Sequence, residues 1–369
     1  MRVPVNEPLM GEEEVKHLEE CVRTNWVSSK GRFLDEFEQA CAQSVGAKHG
    51  VAVSSGTAAL HVALVALGVG PGDEVIVPSM TMIATAFAVS YTGATPVPVD
   101  SDPATGNMDP ADVERRITPR TKAIVPVHLY GHPVDMDPVL ALARRRGIAV
   151  VEDAAEAQGA LYKGKPVGAM GDVGCLSFYA NKLVTTGEGG MCVTNDDALA
   201  ARMRTLRDMA HSPRQRFLHE EIGFNYRMTN LQAAVGLAQV RRLDRHVAIK
   251  REVAAKYHAR LKGVRGLELP VEAPWAKNVY WMYGVVLADD FGLTREAFMQ
   301  RLAERGVETR TYFIPVHEQP VYTKKGLYAG WKLPVAERLA RQGLYLPSGL
   351  ALTDAQMDHV VKVVREVAG

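Results

Sequence analysis

Short apolar runs alternate with segments of helical spacing from about residue 10 to residue 240. The run HGVAV at 49–53 leads into a segment in which Leu60, Leu64 and Leu67 recur on one helix face. Further strand candidates lie at 74–78, 95–100, 122–128, 148–153, 175–178 and 191–195. Strands that alternate with helices in this way predict βαβ units and a mostly parallel sheet covered on both faces. The predicted fold class is α/β.

The alternation becomes looser after residue 195. Residues 196–208 predict a helix, and residues 231–261 predict one long helical stretch, either straight or kinked. Beyond Pro270, strand candidates lie at 281–288 and 307–313, and helix candidates at 295–305, 333–342 and 354–368. We therefore expect a large α/β domain over 1–245 and a smaller α+β domain over 246–369.

Composition and charge exclude several classes of protein. The 369 residues carry 43 Lys and Arg against 42 Asp and Glu, so no basic excess indicates nucleic-acid binding. No apolar run approaches the roughly 18–20 residues that cross a bilayer, and no secretory signal opens the chain. Four scattered cysteines lack metal-ligand spacing: Cys21, Cys41, Cys175 and Cys192. We expect a cytoplasmic protein with buried, reduced cysteines and no metal site.

Two polar patterns follow predicted strands. The first is a turn of small residues, Ser54 to Thr57, at the start of a predicted helix, where backbone N–H groups and the helix dipole favour an anion. This turn is equally explained as an ordinary helix N-cap. The second is EDAAE at 152–156, which closes an apolar strand at the sheet edge where α/β proteins bind ligands. A buried Asp153 would need a cationic partner, such as a ligand nitrogen, whereas an exposed strand end would need none.

The most specific pattern is SFYANK at 177–182 followed by TTGEGG at 185–190. A strand ends in a polar turn that holds Lys182, and a glycine-rich return leads into the next strand. A lone lysine is usually a surface residue, but this setting suits a desolvated lysine that forms a Schiff base. A fourth segment, FNYRMTN at 224–230, is rich in hydrogen-bonding groups. It is either a loop with Asn230 as a helix N-cap or a binding loop that reaches a neighbouring subunit.

An anion-binding turn, an acidic strand end and a Schiff-base lysine on one α/β scaffold match the needs of pyridoxal phosphate. Its phosphate would lie at the helix N-terminus, its pyridine nitrogen beside the carboxylate, and its aldehyde would join the lysine. A nicotinamide oxidoreductase would instead require a GxGxxG turn after the first strand, and the sequence has none there.

At this point the chain resembles the sugar aminotransferases of the DegT/DnrJ/EryC1/StrS family, of fold type I. The resemblance covers almost the whole length and rests on NEPLMGEEEV, WVSSKGRFLDEFE, SSGTAAL, EDAAEA, SFYANKLVTTGEGG and FNYRMTN. It implies a large cofactor-binding domain, a smaller C-terminal domain and a homodimer with shared active sites. The dehydratases of the family carry His where the aminotransferases carry the lysine, so Lys182 indicates an aminotransferase.

The resemblance also implies roles for individual residues. Lys182 would bind pyridoxal phosphate covalently and then carry protons, while the cofactor alternates with its pyridoxamine form. Asp153 would pair with the pyridine nitrogen, and Glu156 would approach the phenolic oxygen. The phosphate and ring contacts implied are Ser55, Gly56, Thr57 and Ser177 from the same chain, Asn225 from the other subunit, and Met82 at a position that is usually aromatic. A thioether packs favourably on an aromatic face.

The reaction implied is transfer of the amino group of L-glutamate to the C4 ketone of a nucleotide-linked 4-keto-6-deoxysugar, with GDP as the nucleotide. Candidate substrate contacts are Trp26, Ser28, Ser29 and His317, and for His317 a structural loop histidine is an equal alternative. Composition and spacing leave open a UDP- or dTDP-sugar, amino transfer at C3, and glutamine as the donor. A non-catalytic regulatory protein on the same scaffold would be expected to lack Lys182 or Asp153, and both are present.

Overall fold

The computed structural model describes residues 1–215 and 217–369. The helices in these ranges are α1 (Glu12–Arg23), α2 (Arg32–Ser44), α3 (Gly56–Ala66), α4 (Ala84–Tyr91), α5 (Pro110–Arg116), α6 (Met136–Arg146), α7 (Asp197–Arg207), α8 (Asn230–Val240), α9 (Leu243–Leu261), α10 (Arg295–Glu304), α11 (Pro320–Thr323), α12 (Pro334–Gln342) and α13 (Asp354–Ala368). The strands are β1 (His49–Val53), β2 (Glu74–Pro78), β3 (Thr95–Val99), β4 (Thr121–Ile124), β5 (Ala149–Asp153), β6 (Leu161–Tyr162), β7 (Lys165–Pro166), β8 (Val173–Ser177), β9 (Gly190–Thr194), β10 (Leu267–Glu268), β11 (Ala276–Lys277), β12 (Tyr283–Leu287), β13 (Arg310–Thr311) and β14 (Gly343–Leu346).

A central sheet of seven strands organises the first two thirds of the chain. Its strand order is β1-β9-β8-β5-β4-β2-β3, and the pairs β8–β5, β5–β4, β4–β2 and β2–β3 are parallel. Strand β9 runs antiparallel to both of its neighbours, β1 and β8. The predicted α/β class with a mostly parallel sheet is confirmed.

The strands read as continuous apolar runs because the sheet is buried on both faces. Successive residues of β2 point to opposite faces, so Ile76 packs into one hydrophobic cluster while Val75 and Val77 pack into the other. All three side chains are fully buried. Burial of each such side chain stabilises the fold by roughly 1.5–3 kcal/mol.

A second, antiparallel sheet forms in the C-terminal part, with strand order β10-β12-β14-β13. It has its own hydrophobic cluster, in which Tyr257, Tyr283 and Leu344 are fully buried. The N-terminal segment joins this part, since Val3 forms a β-bridge with Val307. The domain division near residue 245 stays a prediction, and it falls within α9.

The predicted helical stretch over 231–261 is interrupted, because the chain forms α8 and α9 with a turn between them. Arg241 and Arg242 occupy the turn, where Arg241 pairs with Glu13 and Glu36 and Arg242 pairs with Glu14. These ion pairs hold the turn against α1 and α2.

The N-cap of α8 is Thr229, and Asn230 is its first helical residue. The Thr229 hydroxyl accepts the amide of Gln232, whose side chain reaches back to the Thr229 amide in a capping box. The predicted strand over 307–313 is reduced to β13, and β14 and the short sheet β11-β6-β7 escaped prediction. In residues 1–215 and 217–369, no helix has the length and apolarity needed to traverse a membrane.

Candidate active site

The carboxyl ends of β1, β2, β5 and β8 meet at one edge of the central sheet and border a cavity of about 290 Å³. Eight of the residues predicted to bind the cofactor line this cavity together: Ser55, Gly56, Thr57, Met82, Asp153, Glu156, Ser177 and Lys182. They come from four separate loops, so it is the parallel sheet that brings them to one place.

The N-terminus of α3 points its first-turn amides at the cavity. Ser55 is the N-cap, and its side-chain oxygen accepts the amide of Ala58 at 3.1 Å. The amides before Ala58 have no acceptor within the helix, and the positive end of the helix dipole lies with them. At Gly56 an added Cβ would lie 2.8 Å from the Cβ of Ser177, so only glycine leaves this cradle open. The cradle suits a phosphate group.

Asp153 ends β5 and faces the same cavity. Its Oδ2 accepts the hydroxyl of Thr85 at 2.8 Å, and its Oδ1 accepts the amide of Ala155 at 3.2 Å. Burial raises the pKa of Asp153, while the hydrogen bonds from Thr85 and Ala155 and the charge of Lys182 oppose that rise. A cationic ring nitrogen beside it would compensate the buried charge.

Glu152 also belongs to EDAAE, but it has a structural environment. It is fully buried, lies 3.1 Å from His128 Nε2, and accepts the amides of Gly168, Met170 and Gly171. Burial alone would raise the pKa of Glu152, but the contact with His128 and the backbone amides lower it overall.

Lys182 extends into the cavity from the loop after β8. Its side chain is 11% exposed, and Nζ lies 3.7 Å from Glu156 Oε1 and 3.6 Å from the ring centroid of Trp281. Burial lowers the pKa of Lys182, against the opposing charges of Glu156 and Asp153. A lysine with a lowered pKa keeps more of its neutral, nucleophilic amine at neutral pH, as attack on an aldehyde requires.

The loop that carries Lys182 is held at both ends by Gln158, which is not among the residues predicted from the sequence. Its Nε2 donates to the carbonyl of Ser177 at 2.7 Å, and its Oε1 accepts the amide of Val184 at 2.9 Å. The side chain is buried. Its place in EDAAEAQ, five residues after Asp153, is the only sequence signal for this role.

Glu156 connects Lys182 to the opposite wall of the cavity. Its Oε2 accepts the amide of Tyr130 at 2.8 Å, and Tyr130 adopts a left-handed backbone with φ of 52°. Burial raises the pKa of Glu156 to about 6, with the charge of Lys182 as the main opposing influence. This carboxyl group can therefore exchange a proton near neutral pH.

Aromatic side chains from the C-terminal part form one wall of the cavity, and the sequence did not predict them. Trp281, Phe313 and Tyr345 line the cavity. Tyr130 packs behind them, with its ring stacked on those of Trp281 and Phe313. Aromatic residues at these positions resemble ordinary core residues in sequence, so no local signal distinguishes them.

Met82 lies at the rim, 50% exposed, on the loop between β2 and α4. Asn225 is exposed and lies outside the cavity, where its Oδ1 accepts hydrogen bonds from Arg227 of the same chain. A contribution of Asn225 to phosphate binding would therefore come from a second copy of the chain, and it stays a prediction.

The candidate substrate contacts also lie outside the cavity lining. Trp26 is 55% exposed, and its carbonyl oxygen accepts the side-chain amide of Asn230. Ser28 and Ser29 follow in the same loop, and the Ser28 carbonyl accepts the backbone amide of Asn230. Within this chain these residues bind α8, and a role toward substrate stays a prediction.

His317 is buried behind the cavity. Its Nδ1 lies 2.7 Å from Ser79 Oγ, and its Nε2 lies 3.4 Å from Glu337 Oε1. Ligand atoms of His317, Glu318 and Glu337 lie within 4.8 Å of one another, and Arg341 forms ion pairs with both carboxylates. The geometry favours the structural alternative for His317 over direct contact with substrate.

The chain shows a marked similarity to known aminotransferases. A model of the DegT/DnrJ/EryC1/StrS aminotransferase family matches residues 8–365. A GDP-perosamine synthase of Caulobacter vibrioides is 48% identical over 367 residues, which cover 99% of this chain and 98% of that enzyme. A GDP-perosamine synthase of Escherichia coli O157:H7 is 42% identical over 364 residues, which cover 99% of this chain and 98% of that enzyme.

Among solved structures, DesV of S. venezuelae in complex with a ketimine intermediate has a TM-score of 0.92 and 41% sequence identity. The match covers 100% of this chain and 98% of DesV. The expected family, the expected aminotransferase class and the expected cofactor, pyridoxal phosphate, are thereby confirmed. The cradle at α3, the Asp153 carboxyl group and the Lys182 amine fit the phosphate, ring nitrogen and aldehyde of that cofactor.

Proposed function

Because the chain belongs to the DegT/DnrJ/EryC1/StrS aminotransferase family, we propose that it transfers the amino group of L-glutamate to C4 of GDP-4-keto-6-deoxy-D-mannose. The products are GDP-perosamine and 2-oxoglutarate. The observation that carries the chemistry is the convergence of Lys182, Asp153 and the N-terminus of α3 on one cavity. The choice of sugar and nucleotide is supported by the similarity to two GDP-perosamine synthases over nearly their full length.

Each residue of the site has a separate role in the proposed reaction. Pyridoxal phosphate, when bound, supplies an electron sink for the carbon that loses or gains a proton. Lys182 would bind the aldehyde, and its freed amine would carry the proton of the glutamate α-carbon to the cofactor carbon that held the aldehyde. In the second half-reaction the same amine would carry a proton in the reverse direction, onto C4 of the sugar. Asp153 would keep the ring nitrogen protonated, and Glu156 would approach the phenolic oxygen. Gln158 fixes the loop from which Lys182 acts.

Phosphate binding is assigned to Ser55, Gly56, Thr57 and Ser177, with Met82 packing on the ring from the rim.

We further propose that two copies of the chain form a homodimer in which Asn225 completes the phosphate site of its neighbour. The exposed loop with Trp26, Ser28 and Ser29 would then meet substrate in a neighbouring subunit's site. The two-domain division near residue 245 and a cytoplasmic location complete the proposal.

An amino-transfer assay tests this function. The full-length protein is incubated with pyridoxal phosphate, L-glutamate and a 4-keto-6-deoxyhexose linked to GDP, UDP or dTDP, and products are identified by mass spectrometry. We expect a 4-amino sugar from the GDP substrate only, and none with Lys182→Ala. Turnover confined to a UDP- or dTDP-sugar would contradict the proposed substrate but keep the aminotransferase chemistry. Product with the amino group at C3 would contradict the proposed position.

A further inference from the structure

The amino group of Lys182 lies over the face of an indole ring. Its Nζ is 3.6 Å from the ring centroid of Trp281 and 3.7 Å from Glu156 Oε1. Trp281 is 4% exposed and lines the active-site cavity. A cation over the face of a tryptophan is attracted by the ring, more strongly where water is excluded. The protonated amine of Lys182 is therefore stabilised at this place.

The indole is fixed relative to the lysine. Its Nε1 donates to the carbonyl oxygen of Asn181 at 2.8 Å, and the side-chain amide of Asn6 donates to the same oxygen at 2.8 Å. The ring also stacks on Tyr130 at a centroid distance of 6.2 Å. Because Asn181 directly precedes Lys182, Trp281 is tied to the backbone that carries the amine it contacts.

Other groups also act on the charge of Lys182. The carboxylates of Glu156 and Asp153 stabilise the protonated amine, whereas burial favours the neutral amine. The remaining ionisable groups that line the cavity are Tyr179, Glu188 and Tyr345. Glu156 Oε1 lies 3.7 Å from the amine, and the uncharged face of the indole lies 3.6 Å from it. Trp281 thus adds an attraction that the carboxylates do not supply.

We propose that Trp281 is a positioning residue that holds the amino group of Lys182 over its indole face whenever that amine is not attached to the cofactor. This inference rests on the proposed function, in which Lys182 alternates between binding the aldehyde and carrying a proton. In the carrier role the neutral amine accepts one proton and becomes the ammonium that the ring stabilises. It later donates the same proton, so the lysine returns unchanged.

The test measures Lys182 itself and not turnover. The full-length protein, freed of cofactor, is labelled with acetic anhydride over a range of pH, and acetylation of the peptide with Lys182 is quantified by mass spectrometry. Trp281→Leu removes the ring, and we expect Lys182 to be acetylated about three- to fivefold faster at neutral pH. Trp281→Phe keeps a weaker aromatic face, and we expect an intermediate increase. Acetylation of the exposed Lys165 in the same samples is the internal control.

A matched variant tests whether the hydrogen bond from Asn6 to the same carbonyl affects Lys182. Asn6→Ala removes the other donor to the Asn181 carbonyl but leaves the indole, so we expect Lys182 acetylation to stay at the wild-type rate. Unchanged acetylation of Lys182 in Trp281→Leu, with wild-type circular dichroism, would overturn the proposal. If Trp281→Leu does not fold, the test uses Trp281→Phe. An unchanged rate of Lys182 acetylation in that variant would also overturn the proposal. A negative result for Trp281 would not change the outcome of the amino-transfer assay on the wild-type enzyme. The two proposals can therefore be rejected independently.

Discussion

Glu152 and Asp153 are adjacent at the end of β5, yet their carboxyl groups lie on opposite sides of the central sheet. Asp153 lines the active-site cavity, whereas Glu152 binds His128 and the backbone amides of the 168–171 turn. The alternation of side chains along a strand produces this division. The carboxylate of Asp153 is thereby available for chemistry, and the carboxylate of Glu152 fixes the 168–171 turn.

This relationship predicts different defects for two isosteric variants. Asp153→Asn removes the charge beside the ring nitrogen, and we expect turnover to fall roughly 100- to 1,000-fold without loss of folding. Glu152→Gln removes a buried, hydrogen-bonded charge away from the cavity, and we expect a loss of roughly 1–3 kcal/mol in the free energy of unfolding. Steady-state kinetics and urea unfolding of both variants measure the two effects. Equal loss of turnover in the two variants would contradict the assigned division.

The contact between Gly56 and Ser177 predicts that the phosphate cradle tolerates no added methyl group. In Gly56→Ala the new Cβ would lie 2.8 Å from the Ser177 Cβ, which forces the cradle to shift. We expect cofactor binding to weaken about tenfold or more, since overpacking costs roughly 1–3 kcal/mol. Gly70→Ala is the control, because a Cβ at Gly70 meets no atom within 4 Å. Fluorescence titration with pyridoxal phosphate compares the affinities of the two variants. Equal affinities would contradict a phosphate site at Gly56.

Burial of Glu156 predicts a pH dependence of stability in the cofactor-free protein. Its pKa is raised from 4.5 to about 6 in the folded chain, so the fold binds this proton more tightly than the unfolded chain does. Protonated Glu156 therefore contributes to the free energy of unfolding. This contribution is fully present below about pH 4.5 and is lost as the pH rises through about 6. Glu156→Gln removes this titration. Urea unfolding at pH 4.5 and 6.5 should therefore show a smaller decrease for the variant, and identical decreases would contradict the shift.

The position of Asn225 outside its own cavity predicts that active sites are shared between two copies. A chain with Lys182→Ala and a chain with Asn225→Ala are each expected to be impaired as homodimers. A refolded mixture forms hybrid dimers in which one site combines an intact Lys182 with an intact Asn225. We expect roughly a quarter of all sites to regain activity. If mixing restores nothing while co-purification through a tag on one of the two variants shows hybrid dimers, Asn225 does not serve its neighbour.

Much of the fold could be predicted from the local sequence pattern, but the aromatic wall of the active-site cavity could not. The strands at 49–53 and 74–78 have the predicted bounds, because β-branched runs between turn residues form strands wherever they are buried. Residues at strand ends, such as Asp153 and Ser177, were predictable because parallel strands bring their carboxyl ends together. Trp281 lies about 100 residues further along the chain, and only tertiary packing brings it to the cavity.

Short strands and the position of the helix break escaped prediction for a similar reason. Strand β13 has two residues, and its pairing with β14 gives it regular structure that local propensity does not specify. At the break between α8 and α9, Arg241 and Arg242 form ion pairs with acidic residues more than 200 positions away. Helical spacing continues through the break, so periodicity alone predicts one helix.

The central claim, that Lys182 is the residue that binds the cofactor aldehyde, is tested most directly by reductive trapping. The protein is loaded with pyridoxal phosphate, treated with sodium borohydride and digested, and the modified peptide is identified by mass spectrometry. We predict the label on Lys182 alone, at close to one per chain, and none in Lys182→Ala, with Lys165→Ala labelled like the wild type. Label on another lysine, such as the buried Lys250, or no label on a protein that binds the cofactor, would contradict the account.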